Sequence, residues 1–170
     1  ISVDFALESW QGPLGGSKDF DLKYSQVEVK AKRSASKPKI KISSEDQLEI
    51  NNNSNLFLAV FGIDFSEKKE SKNLSEWCKY VEKNIEIKNP NCISFFNNLI
   101  VEYGFDWGHD YTDNSWEIQE IKYYKVNQNF PKIMGRELNP GIDEVSYSLE
   151  MKQLKEFEVS KDYIIKELNG

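Results

Sequence analysis

The chain has 170 residues, of which 39% are apolar, 29% charged and 13% aromatic. This is the makeup of one globular domain (1–170) able to bury a sizeable core. A net charge of −6 and a pI near 5.0 argue, taken alone, against a polyanionic partner. The average hides a strong asymmetry. Leu22 to Ile42 carries seven cations (Lys23, Lys30, Lys32, Arg33, Lys37, Lys39 and Lys41) against Glu28, so this window is +6 and the remainder −12. The longest wholly apolar run, the six residues Leu56 to Phe61, is far too short to span a bilayer. Two cysteines, Cys78 and Cys92, with no CxxC and no Cys/His cluster, argue against a zinc site or disulfide framework and point to a reducing cytoplasm.

In chain order, Val3, Leu7 and Trp10 recur at helical spacing until Gly12-Pro13, which predicts a helix over 2–10. That helix reads as already under way at Ile1, so the chain is expected to begin partway through a larger protein. Alternation over Asp19–Tyr24, Gln26–Ala31 and Lys39–Ser43 predicts three short strands, and their tight connections suggest an antiparallel meander. Ser43 or Ser44 can cap a helix over 44–50, followed by a loop at Asn51–Asn55. Leu56–Phe65 reads as a buried central strand, 74–86 as a helix, and Pro90 as the start of another that ends at Gly104. Trp116–Val126 and Gly141–Leu149 alternate like strands, and 151–168 fits either strand or helix. No internal repeat is present.

The most informative local pattern is Asp19-Phe20-Asp21 followed by Val27-Glu28-Val29-Lys30. On a strand, Glu28 and Lys30 share one face and Val27, Val29 and Ala31 the other. If the preceding strand is antiparallel, Asp19 or Asp21 reaches the same face, the two having equal parity. Two carboxylates about 5 Å apart across a strand pair can hold Mg²⁺, which keeps several waters in an octahedral oxygen shell. Lys30 then sits where it can orient a water or stabilise charge on a phosphoryl oxygen.

Asp followed by Glu-x-Lys on consecutive strands resembles the PD-(D/E)XK nuclease motif. The flanks Trp10-Gln11-Gly12-Pro13-Leu14-Gly15-Gly16, Asp19-Phe20, Val27–Ala31, Ile42-Ser43-Ser44 and Gln47-Leu48 resemble an uncharacterised bacterial PD-(D/E)XK family. Phe130-Pro131-Lys132-Ile133 and Gly141-Ile142 match it more loosely. The resemblance implies an α/β, restriction-endonuclease-like core with a central mixed β-sheet flanked by helices. It implies Mg²⁺-dependent (or Mn²⁺-dependent) hydrolysis of DNA, with Asp19 and Glu28 as metal ligands, Lys30 positioning water and Gln47 supporting the site. Genes of that family commonly neighbour DNA methyltransferases and helicase-like proteins, so the implied setting is restriction or phage defence. The expected partners are DNA, methyltransferase or helicase subunits and a second copy in a homodimer. In this chain Lys18 replaces the motif's proline, and Glu8 is the nearest substitute for a further upstream Glu.

Lys32, Arg33, Lys37 and Lys39 form the expected phosphate-tracking strip. The bland alternative is a solvated strand face and hairpin, as half-buried strands ordinarily present. A second functional reading is a non-catalytic nuclease-fold module of a larger restriction complex, and a third is an acidic protein that engages another protein. His109, the only histidine, is expected to be structural or on the surface, and Tyr111, Trp116, Tyr123 and Tyr124, which could stack on bases, are expected to fill a core or line a partner surface. With only Arg33 and Arg136, guanine readout by arginine is sparse.

Overall fold

The apolar run beginning at Leu56 is buried on both faces because it forms the middle strand of a five-stranded sheet. The computed structural model describes residues 1–50, 54–68 and 70–169. Its strands are β1 (Phe20–Asp21), β2 (Ser25–Arg33), β3 (Lys39–Ile42), β4 (Asn55–Phe65), β5 (Trp116–Val126), β6 (Tyr147–Glu150) and β7 (Glu158–Val159). The main sheet runs β1-β2-β4-β5-β7, and β3 and β6 form a separate antiparallel pair. Helices α1 (Val3–Glu8), α2 (Leu74–Lys88), α3 (Ile93–Glu102) and α4 (Lys161–Asn169) complete the α/β architecture. No helix among the described residues is long and apolar enough to cross a membrane.

The meander is corrected. β2 pairs antiparallel with β1 but parallel with β4, so the chain between them must cross over the sheet. β3 lies in that crossover. Its buried Ile40 and Ile42 pack under the main sheet with Leu58, Tyr124, Leu149 and Leu154, which draws the strand away from β2 and onto β6. The opposite face of the main sheet carries Val27, Phe57 and Ala59 and is covered by Ile164 of α4. A third cluster joins Leu7 of α1 to Ile85, Phe96, Leu99 and Ile100 of α2 and α3.

Other expected elements shorten. The strand over 19–24 is only β1, because Leu22 N–H bonds to Ser25 O and turns the chain. The helix over 44–50 is one 3₁₀ turn, Glu45–Leu48, whose Asp46 N–H is capped by Ser44 Oγ. The strand expected from Gly141 begins at Tyr147, since the residues after Pro140 turn and Glu144 adopts a φ of 53°. The ambiguous tail resolves into a 3₁₀ segment (Met151–Phe157), β7 and α4. Asn51–Asn53 of the expected Asn-rich loop lie outside the described residues, and Asn55 opens β4.

α2 starts from a capping box in which Asn73 and Glu76 exchange side-chain and backbone bonds at 2.9 Å in each direction. Loss of such a cap costs about 1 kcal/mol. Asn73→Ala is therefore expected to lower stability by that amount in urea unfolding, with an unchanged slope.

Candidate active site

The alternation of β2 places Gln26, Glu28, Lys30 and Lys32 on one face. Glu28 is only 2% exposed, and its Oε1 lies 2.6 Å from Lys30 Nζ. Lys30 Nζ also donates to Gln47 Oε1 at 2.8 Å. That same oxygen accepts from the Ser43 backbone N–H at 2.8 Å. The 3₁₀ turn of the crossover thus brings the expected Gln47 onto Lys30 and fixes the ammonium from two sides.

The register separates the two candidate aspartates. Phe20 pairs with Val27 and Asp21 with Gln26, so one further step puts Asp19 in the row of Glu28. Asp19 Oδ2 accepts from Val29 N–H at 2.7 Å, taking the place of a strand partner where β1 has ended. Asp21 is exposed and accepts from Gln26 Nε2 at 3.1 Å. The Gly-Pro loop secures Asp19 from below, because the N–H groups of Gln11 and Gly12 both bond to its carbonyl oxygen, at 2.8 and 3.2 Å. Gly12 lies close to this carboxylate, and a Cβ there would come within 3.0 Å of Asp19 Oδ1, so any larger residue would press on it.

Lys18 stands where the nuclease motif has proline. It is 5% exposed and donates to the Asp46 carbonyl at 2.6 Å, tying the Asp19 segment to the turn that carries Gln47. Burial holds its pKa below the ordinary lysine value, while the nearby carboxylates of Glu49, Asp46 and Glu28 oppose this. No local pattern marks a lysine for burial, so only tertiary placement reveals it. Glu28 shows the reverse shift. Burial pushes its pKa up to about 7, against the hydrogen bond and charge of Lys30, and the charge of Asp19 adds to the rise. Glu8 is exposed on α1 and joins no cluster of acidic, histidine or cysteine side chains that could hold a metal among the described residues.

The expected phosphate strip is divided. Strand parity sends Lys32 to the face of Lys30 and Arg33 to the other, where its guanidinium lies 5.5 Å from the Trp116 ring. Lys37 is exposed in the turn, and Lys39 pairs with Glu150 at 3.3 Å. His109 sits in an exposed loop with its ring 4.6 Å from that of Tyr111. Tyr124 is 1% exposed in the core.

A family model described as "Putative PD-(D/E)XK family member, (DUF4420)" matches residues 1–152. The chain belongs to this family. The mixed five-stranded sheet with flanking helices is the restriction-endonuclease-like architecture of PD-(D/E)XK proteins, so the chain has a nuclease-like fold. PD-(D/E)XK nucleases generally use divalent metals. No curated protein and no solved structure gives a significant match to the chain.

Two carboxylates share the row, and among the described residues no group of three or more acidic, histidine or cysteine side chains that could hold a metal is present. Glu28 and Asp19 each have one oxygen engaged, by Lys30 Nζ and Val29 N–H respectively, which leaves Glu28 Oε2 and Asp19 Oδ1. The Asp19 carboxylate in the same row adds to the upward shift that burial gives Glu28, and a divalent cation would relieve such repulsion. Mg²⁺ is bound by one or two carboxylates with water filling the remaining positions.

Proposed function

We propose that the chain is a metal-dependent endonuclease that hydrolyses DNA phosphodiester bonds and serves a restriction or phage-defence system. The observation that carries this reading is the row formed by Asp19, Glu28 and Lys30, in which the lysine is oriented by a glutamine from the crossover. Asp19 and Glu28 would hold Mg²⁺ or Mn²⁺, and the cation would supply Lewis-acid polarisation of a phosphoryl oxygen and a more acidic water.

The protein groups then have distinct tasks. The Lys30 ammonium has three donors, and Glu28 and Gln47 take two of them, so one remains to meet a phosphoryl oxygen or to orient the attacking water. Gln47 prevents the ammonium from collapsing wholly onto Glu28 by offering it a second acceptor. Lys18 holds the Gln47 turn against the Asp19 segment, and Asp19 secures β2 at Val29, so the carboxylates and the ammonium keep their spacing. In-line displacement at phosphorus needs little covalent help from the protein, and such positioning with charge stabilisation is the main contribution.

Incubation of supercoiled plasmid with the purified protein tests the reading. Nicked or linear product is expected with Mg²⁺ or Mn²⁺ and none with a chelator. DNA binding without cleavage under any divalent cation identifies a non-catalytic module instead. Absence of any salt-dependent DNA affinity sinks both readings and leaves an acidic protein-binding domain.

A further inference from the structure

The face of β2 that carries Glu28 and Lys30 continues to Lys32, and there it opens. In register, Lys30 lies beside Val60 and Val60 beside Lys122, while Lys32 lies beside Gly62 and Gly62 beside Glu120. Strands spaced about 4.8 Å apart put the backbones at Lys30 and Lys122 about 10 Å apart, with only β4 between them. The 3₁₀ segment Met151–Phe157 forms the opposing wall and contributes Lys152 and Lys155. The result is a cleft of about 380 Å³ whose charged lining is Lys32, Lys122, Lys152, Lys155, Glu120 and Glu158.

Three features of this cleft point to a phosphodiester ligand. Its ammonium groups outnumber its carboxylates by four to two, in a protein whose net charge is −6. Lys122 and Lys152 are already paired, with Glu120 at 3.3 Å and Glu150 at 3.0 Å, whereas Lys32 and Lys155 have no salt bridge among the described residues. Lys32 gives a hydrogen bond to the Arg33 carbonyl at 2.8 Å and has no carboxylate paired with it among the described residues. Ser34 also lines the cleft, and its Oγ is shielded from solvent with no hydrogen-bond partner among the described residues. Such a hydroxyl is costly until something accepts from it.

At Gly62 a Cβ would lie 2.8 Å from Glu120 Cγ and 3.0 Å from Ser34 Oγ, so glycine alone lets the side chains of the flanking strands close over β4 here. The β4–β5 register also slips between Gly62 and Ile63, which bends the strand at the mouth of the cleft.

We propose that the DNA strand leaving the Glu28–Lys30 site runs through this cleft, with its phosphates on Lys32, Lys122, Lys152 and Lys155 instead of on the exposed Arg33–Lys39 turn. The proposal rests on the nuclease reading for the identity of the ligand. It assigns the polyanion to a surface made of three segments distant in sequence, so the +6 window supplies only one of its four lysines.

The salt dependence of binding distinguishes the two claims. Affinity of a fluorescent duplex is measured against salt for the wild type, for Lys32→Gln/Lys155→Gln, and for Lys79→Gln/Lys83→Gln on the exposed face of α2 as a charge-matched control. Each lost phosphate contact lowers the slope of log K against log salt by about 0.9, so the cleft variant is expected to lose about 2 and the control nothing. Lys155→Glu alone, on an exposed position, gives the same direction if the double variant folds poorly. Equal slopes for the wild type and both variants, with plasmid still cut, overturn the cleft and leave the nuclease reading standing. A reduced slope in the cleft variant, with no cleavage by any form, supports the cleft and removes the nuclease.

Discussion

Replacing Lys30 with alanine is expected to lower DNA cleavage by about 10² to 10³-fold, the usual cost of removing one fixed donor from a site of developing charge. Binding should change little, because Lys30 contributes one charge among many to the electrostatic term. The loss therefore belongs in the turnover number more than in KM. Lys30→Arg does not restore it, since a planar guanidinium cannot reproduce two short contacts made by a single Nζ, to Glu28 Oε1 and Gln47 Oε1. Gln47→Leu should give an intermediate defect by leaving the ammonium free to settle on Glu28. Single-turnover cleavage at saturating Mg²⁺ makes the comparison, with circular dichroism to verify folding. Full activity in Lys30→Ala would falsify the assignment of Lys30.

Glu28→Gln is expected to raise stability at alkaline pH. In the metal-free protein burial raises the Glu28 pKa from an ordinary 4.5 to about 7. A carboxyl whose folded pKa lies above its unfolded one contributes stability that is complete below about pH 4.5 and lost as pH rises through about 7. A rise of this size corresponds to about 3 kcal/mol. Glutamine cannot ionise, so the variant escapes that loss. In buffer with a chelator the variant should be more stable than the wild type at pH 8 by up to about 3 kcal/mol, and the gap should close towards pH 5. Urea unfolding at several pH values reads it directly, and parallel profiles for the two proteins would remove burial as the cause. Added Mg²⁺ should then stabilise the wild type and not the variant, because only the wild type offers two carboxylates. Stability given up at a site, and recovered when ligand binds, is the ordinary signature of a functional carboxylate.

Much of the fold can be read from local pattern where the pattern is strong. β5 spans the expected Trp116–Val126, and β4 is the buried central strand that its apolar run implies. α2 and α3 follow their periodic apolar residues, with the Pro90 start realised as a short 3₁₀ turn before α3. The failures concern pairing. Nothing local to Lys39–Ile42 distinguishes a third strand of a meander from one that leaves the sheet, because alternation specifies a face and not a neighbour. The partner of β3 lies more than a hundred residues away, at Tyr147–Glu150.

The site divides in the same way. Glu28 and Lys30 are legible because a period of two fixes their shared face within one strand. Asp19 and Asp21 have equal parity, so only the register, which puts Asp21 opposite Gln26, separates them. Gln47 was expected from family resemblance, and its contact with Lys30 depends on how the crossover lies. Lys18, Lys152 and Lys155 had no signal at all, since a lysine becomes buried or aligned only through segments that meet in three dimensions.

The parallel pairing of β2 with β4 has a consequence for the order of folding. Parallel strands cannot be joined by a tight turn, and the intervening chain, which carries Gln47, must first be closed as a loop. The β1–β2 hairpin brings Asp19 to Glu28 through local contacts and can form early. Lys30 acquires Gln47 only after the crossover has seated against the sheet. The Asp19–Glu28 row therefore needs only a short local closure, whereas the contact of Lys30 with Gln47 needs the longer loop of the crossover to be closed.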